Sequence, residues 1–581
     1  MARDRRQTAY ETRRRIDEAR EMLVTYTTRA GVSREQRRVQ CQNLKQWYES
    51  GSEDGYAARY NKLRAHLDRL SSYIWSPDSV RFGVHLPPAS RKDWLDAAQT
   101  ARDEFRQVWA NSGADLTISL ALEWSLVYGS MPLKIQQDPY KGFVISAINP
   151  WDFGVTREDQ PSLTDQDVYC HWYTLSMPQF ERWCQGHERE EELIQKAAER
   201  ATPQAGGSGY TRLVISGLTG AFPNSVVAGA MPGDVNDSTY MLDANVIEPV
   251  VNLCDVWERR GYVDSLAGPY QDWRVTTIMT DGIEPLVRRR NPILPWMRTP
   301  SGQVFPGQAP FGILAPRPMT DYLWGRSELA SLLMLQQWRE RQVVAMDEII
   351  KRQLDPSKLF IGLSDYEEAG RAMSTVGGSF GTGDPNVKFE TIKVEVGQEA
   401  FAMLGQIDQM FDDQSGIPPT LQGQQAPGVR SNDQLISLAG IGAGRIRHMA
   451  LQLESVLSEL ATLGFRILQH GDDQTYESPG GERFILAQLP AGLTLQVSAH
   501  SASPIFAEQT QMKALELFKA GAIDGEWLIE LLDPPHREEM KETSRRLAQG
   551  RAENQKQLMM LAAARIERKA SRLGPGRPVG S

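Results

Sequence analysis

The feature that most constrains this chain is an apolar seam near its C-terminal third. Ile446, Met449, Leu453, Val456, Leu460, Leu463 and Ile467 follow one another at alternating steps of three and four residues. Such steps put every member on one side of an α-helix, as in a heptad repeat. At about 1.5 Å per residue, residues 445–470 make a rod of roughly 40 Å, and a rod of that length needs partners along all of it. Apolar stripes ordinarily pack into the subunit's own core. Packing between subunits of an assembly is the alternative, and a ring of tightly fitted copies allows both. Gly440, Gly442 and Gly444 stand just ahead, where a kink is cheap. Ser431-x-x-Gln434 forms a capping box at which the helix can start.

The rest of the chain alternates in character. Residues 8–30 read as a charged helix, and a second helix starts near Ser33 through Ser33-x-x-Gln36. Tyr60, Leu63, Leu67, Leu70 and Ile74 share one helical stripe, stopped by Trp75-Ser76-Pro77. A strand at 81–88, a helix at 91–112 and an apolar helix at 115–130 follow. Short β-rich runs then appear at 143–148, 168–174, 211–215, 246–256 and 273–279, interrupted by one charged helical stretch at 177–200 and a Gly-rich joint at 206–209. Residues 288–319, rich in Pro and Gly, should run extended with turns. A strongly helical pattern covers Ser327–Leu354, ended by Asp355-Pro356. A Gly-rich loop at 374–385, a strand at 388–395 and a helix at 398–413 precede Ser415-Gly416-Ile417-Pro418-Pro419. Helices at 505–533 and 536–570 and an irregular tail end the chain. Helical and β-rich regions are segregated, with no fixed-period repeat, which favours an α+β class.

Composition narrows the function. A hydrophobic share of 41% and a charged share of 24% suit a folded chain. The net charge of -9 is not that of a tight DNA binder. The charge is uneven: Lys541–Ser581 holds ten Lys/Arg against three Asp/Glu, and residues 1–20 hold seven Arg against four acids. Basic ends on an acidic body are either solvated tails or contacts for nucleic acid or an acidic partner. Four cysteines in 581 residues make no disulfide framework. The Arg-rich start has no apolar stretch of the signal-peptide kind. No run reaches the ~18–20 apolar residues of a membrane span, so no membrane partner is expected.

Motifs for chemistry are absent or badly placed. There is no G-x-x-x-x-G-K-[ST] phosphate loop. Gly377-Gly378-Ser379-Phe380-Gly381 matches G-x-S-x-G, but its flanks supply neither the strand nor the helix of a nucleophile elbow. Cys184-x-x-His187 has metal-ligand spacing, whereas the adjacent Cys170-His171 would point to opposite faces of a strand. The acid pairs Asp412-Asp413 and Asp472-Asp473 sit at helix ends or turns, as solvated caps do. No catalytic residue, metal ligand or cofactor is expected, and the chain is read as a non-enzyme.

A set of ordered segments carries a resemblance. Tyr322-Leu323-Trp324-Gly325-Arg326-Ser327 opening a long helix, Asp355-Pro356-Ser357-Lys358-Leu359-Phe360 leaving it, and Gly416-Ile417-Pro418-Pro419-Thr420-Leu421-Gln422-Gly423 before another helix resemble the portal, or head-to-tail connector, proteins of tailed phages. Asn149-Pro150-Trp151-Asp152-Phe153-Gly154 and Gly521–Trp527 are similar to further segments of that family. The likeness covers most of residues 55–540 and is nearest to connectors of short-tailed phages. It departs in the long 155–240 insertion.

The resemblance implies a portal-type fold with helical wing, stem and crown and a β-containing clip and wing. Its parts would be an N-terminal helical wing part at 1–135, a β-rich wing part with the insertion at 136–254, a clip-containing segment at 255–320 and a stem helix at 321–356. A tunnel-loop region at 357–397, a wing part with the heptad helix at 398–504, crown-side helices at 505–570 and a tail at 571–581 would follow. Gly377, Gly378, Gly381 and Gly383 would make the tunnel loop mobile, with Lys388 and Lys393 as transient phosphate contacts or ordinary surface lysines. Ser327, Trp338, Arg339, Arg341, Lys351 and Arg352 would lie on the stem helix. The implied partners are other copies in a ring of about twelve, the terminase, major capsid and scaffolding proteins, tail adaptor proteins, and double-stranded DNA passing through the channel. The implied location is the virion's portal vertex, after assembly in the host cytoplasm. The competing readings are a DNA-processing or nucleotide-dependent enzyme and a monomeric adaptor.

Overall fold

The computed structural model describes most of residues 34–200 and 250–354, the segments 358–361, 388–391, 397–417, 444–471 and 474–497, and parts of 513–562. The chain divides into two compact units, Met1–Ala502 and Ser503–Ser581. It is a mixed helix and strand protein, as an α+β class requires.

The first unit begins with α1 at 34–49. In α2 (Lys62–Ile74) the Asn61 side chain accepts from the Arg64 N–H at 3.1 Å, and Leu63, Leu67, Leu70 and Ile74 are buried on the stripe read from the sequence. Then come β1 (Phe82–His85), α3 (Arg91–Ser112) and α4 (Ala114–Tyr128). Gly113 and Gly129, at φ 73° and 93°, bracket α4 in left-handed conformations that favour glycine.

A three-stranded antiparallel sheet, order β11-β2-β3, joins β2 (Met131–Asp138), β3 (Gly142–Ala147) and β11 (Phe311–Leu314). A five-stranded antiparallel sheet runs in chain order: β4 (Phe153–Val155), β5 (Val168–Ser176), β6 (Val250–Asp264), β7 (Gly268–Met279) and β8 (Glu284–Arg290). Between β5 and β6, the expected single charged helix is two: α5 (Met177–Cys184) and α6 (Glu190–Arg200). The break passes Gly186 at φ 83°. The stretch at 288–319, expected to run extended with turns, holds one short ribbon, β9 (Met297–Arg298) paired with β10 (Val304–Phe305), and then β11. β2 and β6 run across residues 135 and 254, where boundaries between parts were expected.

Next come α7 (Leu333–Leu354), β12 (Lys358–Ile361) paired with β13 (Lys388–Thr391), α8 (Gln398–Ser415) and α9 (Gly444–Gly471). The unit closes with β14 (Thr475–Glu477), β15 (Arg483–Ile485) and β16 (Thr494–Val497), the last pairing antiparallel with β1.

α9 is the axis of the core. Ile446, Met449, Leu453, Leu460, Leu463 and Ile467 of the seam are buried, and so are Ala450, Leu457, Ala461, Gly464 and Phe465 on neighbouring faces. An exposed stripe of His448, Leu451, Ser455 and Glu459 remains on the other side, and the seam is accounted for by the subunit's own core. A Cβ on Gly464 would meet Ile135 and Phe143 at 3.2 Å, so the small residue lets α9 lie close on β2 and β3. Phe105 stacks on Phe143 at 5.7 Å and meets Phe465 edge-on at 6.1 Å, tying α3, β3 and α9 together. Each fully buried Leu or Phe of this set contributes about 1.5–3 kcal/mol.

In the second unit α10, at 513–519, and α11 (Gly525–Leu532) are separated at Gly521, φ 72°. The expected continuous helix at 505–533 is therefore interrupted. Asp524 caps α11 by accepting from the Trp527 N–H at 2.8 Å.

Candidate functional site

The segment on which the sequence expectations converge is the helical pair α7 and α8. Its base is a latch built from Trp324-Gly325-Arg326-Ser327-Glu328. Gly325 approaches the end of α4 so closely that a Cβ there would lie 2.5 Å from the Gly129 carbonyl oxygen and 2.8 Å from that of Arg317. The Gly325 N–H donates to Ser130 Oγ at 2.6 Å, and Ser327 Oγ donates to the Val127 carbonyl at 2.5 Å. Trp324 packs in the core with Phe153, Tyr169, Trp257 and Phe311, under the Arg37 guanidinium at 4.3 Å. Every residue of the aromatic-Gly-x-Ser pattern thus has a packing or hydrogen-bonding reason in the fold.

Glu328 is the centre of the latch. It is buried, and its carboxylate receives the guanidinium groups of Arg445 from α9 and of Arg317 (3.2 Å), with His66 Nε2 of α2 at 3.8 Å. Burial alone would raise its carboxyl, but the His66, Arg445 and Arg317 groups outweigh that and hold it below the usual carboxylate value. Arg445 also donates to the Gln414 and Ser415 carbonyls at 3.2 and 2.7 Å, where α8 ends in the left-handed Gly416. One arginine therefore ties the end of α8 to the entry of α7.

Along the pair, Arg339 Nε of α7 donates to Asp408 Oδ1 of α8 at 2.8 Å, and Lys62 Nζ of α2 lies 3.0 Å from the same oxygen. Burial pushes the Asp408 carboxyl up, yet the Arg339 and Lys62 contacts win and its pKa is lowered. The buried stripe is narrow: Leu335, Gln336, Arg339 and Met346 on α7, and Ile407, Phe411 and Ser415 on α8. Much of the rest is apolar and open to solvent. Met334 is 64% exposed, Trp338 47% and Leu354 82% on α7, and Phe401 is 56% exposed on α8. Val344, Ile350, Met403 and Met410 are exposed as well. At about 3.6 residues per turn, Met334 and Trp338 lie on one side of α7 and Ile350 and Leu354 on nearly the opposite side, so the exposed apolar side chains are spread around the helix.

The expected site residues divide. Ser327 is not on the long helix: a 3-10 turn at Leu329–Ser331 intervenes, α7 starts at Leu333, and the Ser327 hydroxyl is spent on α4. Arg339 is on α7 but turned inward to Asp408. Trp338, Arg341, Lys351 and Arg352 are on α7 and exposed, with Lys351 paired to Asp347 at 2.8 Å. Lys388 is exposed and opens β13, opposite Ile361. Gly377, Gly378, Gly381, Gly383 and Lys393 lie outside the described residues, as do the Ser431-x-x-Gln434 box and the 206–209 joint. The sequence reading missed Glu328, Arg445 and Asp408. Glu328 had a faint signal, a single acid between Ser327 and the apolar run that follows, and Arg445 had none.

Of the cysteine and histidine residues, Cys170, His171 and Cys184 fall apart in space, and His187 lies outside the described residues. Cys170 packs with Cys254 and Trp172 in one cluster, whereas Cys184 packs with Phe180 and Leu193 in another. Alternation along β5 and β6 assigns the two clusters to opposite faces of the sheet. His171 instead joins a buried polar row: Lys134 Nζ is 3.4 Å from its Nδ1 and 4.0 Å from Asp255 Oδ2, and Thr277 donates to Asp255 Oδ1 at 2.7 Å. Burial pushes the His171 imidazole well below its ordinary value, with Lys134 adding to the effect. Among the described residues, no group of three or more His, Cys, Asp and Glu side chains could hold a metal ion. Also among them, no helix is long and apolar enough to cross a membrane.

The chain matches no family model and no curated protein.

Proposed function

We propose that this chain is a portal subunit of a tailed phage. It assembles with copies of itself into a ring of about twelve, because heterologous contacts that close on themselves make rings. The ring sits at one capsid vertex and provides the channel through which DNA is packaged and later ejected. The terminase and tail adaptor proteins dock on it, and capsid and scaffolding proteins surround it. In this reading α7 is the stem helix and the Gly-rich 374–385 segment is the tunnel loop. No catalytic step is assigned to it.

The observation that supports the reading is the set of exposed apolar side chains on the α7–α8 pair. Met334, Trp338, Val344, Ile350 and Leu354 on one helix, and Phe401, Met403 and Met410 on the other, are exposed in the isolated subunit. In this reading a neighbouring copy buries them. α8 carries exposed Glu399 and Asp413 and no Lys or Arg, while α7 exposes Arg341, Arg352 and Glu348, and its exposed Lys351 is paired with Asp347. The α8 side of one copy then faces the α7 side of the next. A conduit also needs weak contact with what passes through it, since each neutralised phosphate adds salt-dependent affinity. A net charge of -9 is consistent with that requirement.

Light scattering after size-exclusion chromatography, with negative-stain imaging, tests the reading. The expected result is a ring of many copies with a central hole. A clean monomer, above all one with ATPase or nuclease activity, would overturn it.

A further inference from the structure

Away from the helical pair, the two larger sheets of the first unit meet across one polar row. On β2, Lys134 shares a face with its cross-strand neighbours Ser146 of β3 and Phe311 of β11. Across from it, on the five-stranded sheet, His171 of β5 stands between Phe153 of β4 and Asp255 of β6, and Asp255 stands beside Thr277 of β7. The same sheet face is apolar on either side of the row, with Tyr169 and Trp257 at one end and Leu253 and Met279 at the other. Lys134, Asp255 and Thr277 are buried, whereas His171 and Tyr173 are half-buried. A proton from solvent can therefore reach the imidazole side of the row.

The charges of the row balance only while His171 is neutral. Lys134 Nζ lies 3.4 Å from His171 Nδ1. An ammonium group has donors and no acceptor, so Nδ1 accepts and the ring carries its proton on Nε2. Asp255 supplies the one carboxylate, with Oδ2 4.0 Å from Lys134 Nζ and Oδ1 accepting from Thr277 at 2.7 Å and Tyr173 at 3.2 Å. Tyr173 stacks on the His171 ring at 5.3 Å, and Phe311 meets it edge-on at 6.2 Å, so neither adds charge. Arg289 of β8, the further charged group that acts on Lys134 and Tyr173, is another cation. A proton added at Nδ1 would set two donors and two positive charges against each other at hydrogen-bond distance. Burial, with Lys134 adding to it, accordingly holds the imidazole well below its ordinary value of 6.5.

We infer that this row is an acid-sensitive joint between the two sheets, closed while His171 accepts from Lys134 and opened when the His171 ring takes up a proton. The proton comes from solvent, Nδ1 ceases to be an acceptor, and β2 is released from β5. In the opened state the ring is solvated and titrates at its ordinary value. The joint is therefore fully closed above that value and loosens as pH falls below it, because the open state then binds more protons. All of these groups lie in the first unit of one subunit, so the inference is independent of the ring.

Hydrogen–deuterium exchange of the full chain reads the opening on peptides spanning 131–138 and 168–176, after correction for the intrinsic effect of pH on amide exchange. From about pH 7.5 to about 5.5 the opening constant should rise about tenfold, as linkage requires for one ring that titrates near 6.5 when open and far lower when closed. His171→Asn keeps an acceptor near the Nδ1 position that takes up no proton. Its rise over the same range should stay below about threefold, and the remaining histidines, unchanged in H171N, cancel from the comparison. A larger rise in H171N overturns the inference, and so does a rise below about threefold in the parent. Should H171N fail to fold, deuterium exchange at the imidazole C2 position of the parent decides alone. A His171 midpoint below about 5.5 is expected, and any higher midpoint overturns the inference.

Discussion

Replacing Glu328 by Gln removes one charge from the latch while keeping its shape. Removing one partner from a buried ion pair costs about 3–5 kcal/mol, because the other charge stays buried and unpaired. Here the stranded partners are not fully buried: Arg317 and Arg445 keep 32% and 27% of their side-chain exposure and can rehydrate in part. The lower end, about 3 kcal/mol, is therefore expected. Since one decade corresponds to about 1.36 kcal/mol, the opening equilibrium of the hairpin base should rise roughly 100-fold. Hydrogen–deuterium exchange of peptides spanning 328–340 and 408–417 reads that opening directly. The pH dependence gives a second check. The Glu328 carboxyl is held below its ordinary value of 4.5. Its contribution is complete above that value and is lost as pH falls through the lower folded-state value. The difference between parent and E328Q should thus be full at neutral pH and shrink in acid. Exchange within threefold of the parent at neutral pH would refute the latch.

Gly325→Ala places a methyl group against two backbone carbonyls that cannot swing aside; a loss of about 3 kcal/mol is expected, read as a lower melting temperature and a poor soluble yield. Trp338→Ser combined with Phe401→Ser alters exposed positions, so each change should leave subunit stability within about 0.5 kcal/mol. The same pair should abolish ring formation by mass photometry, and intact rings would remove the α7–α8 face from the interface. Burial pushes the Cys41 thiol up to about 12 and that of Cys184 to about 11, so native protein at pH 8 should resist iodoacetamide at both, and rapid alkylation by mass spectrometry would contradict their placement. Deleting residues 376–384 should leave ring assembly intact while impairing DNA packaging in a complementation assay; loss of the ring itself would make that segment structural.

Local pattern was legible in the sequence wherever one element sufficed to express it. The Leu63, Leu67, Leu70, Ile74 stripe became the buried face of α2, and the seam from Ile446 to Ile467 became α9. Gly129 ended α4, as a residue free to adopt positive φ does. Such features depend on neighbours three or four residues apart, which the sequence displays directly. Tertiary structure alone decided the rest. Glu328 is joined to Arg445, 117 residues away, and no spacing rule connects them. The tertiary fold also determined that Arg339 turns inward to Asp408 while Trp338 beside it stays in solvent. Arg466 is a cation on the core helix α9. Only the tertiary fold leaves its Nε and Nη1 buried without an acceptor, because burial is a property of what comes near and not of the residue itself.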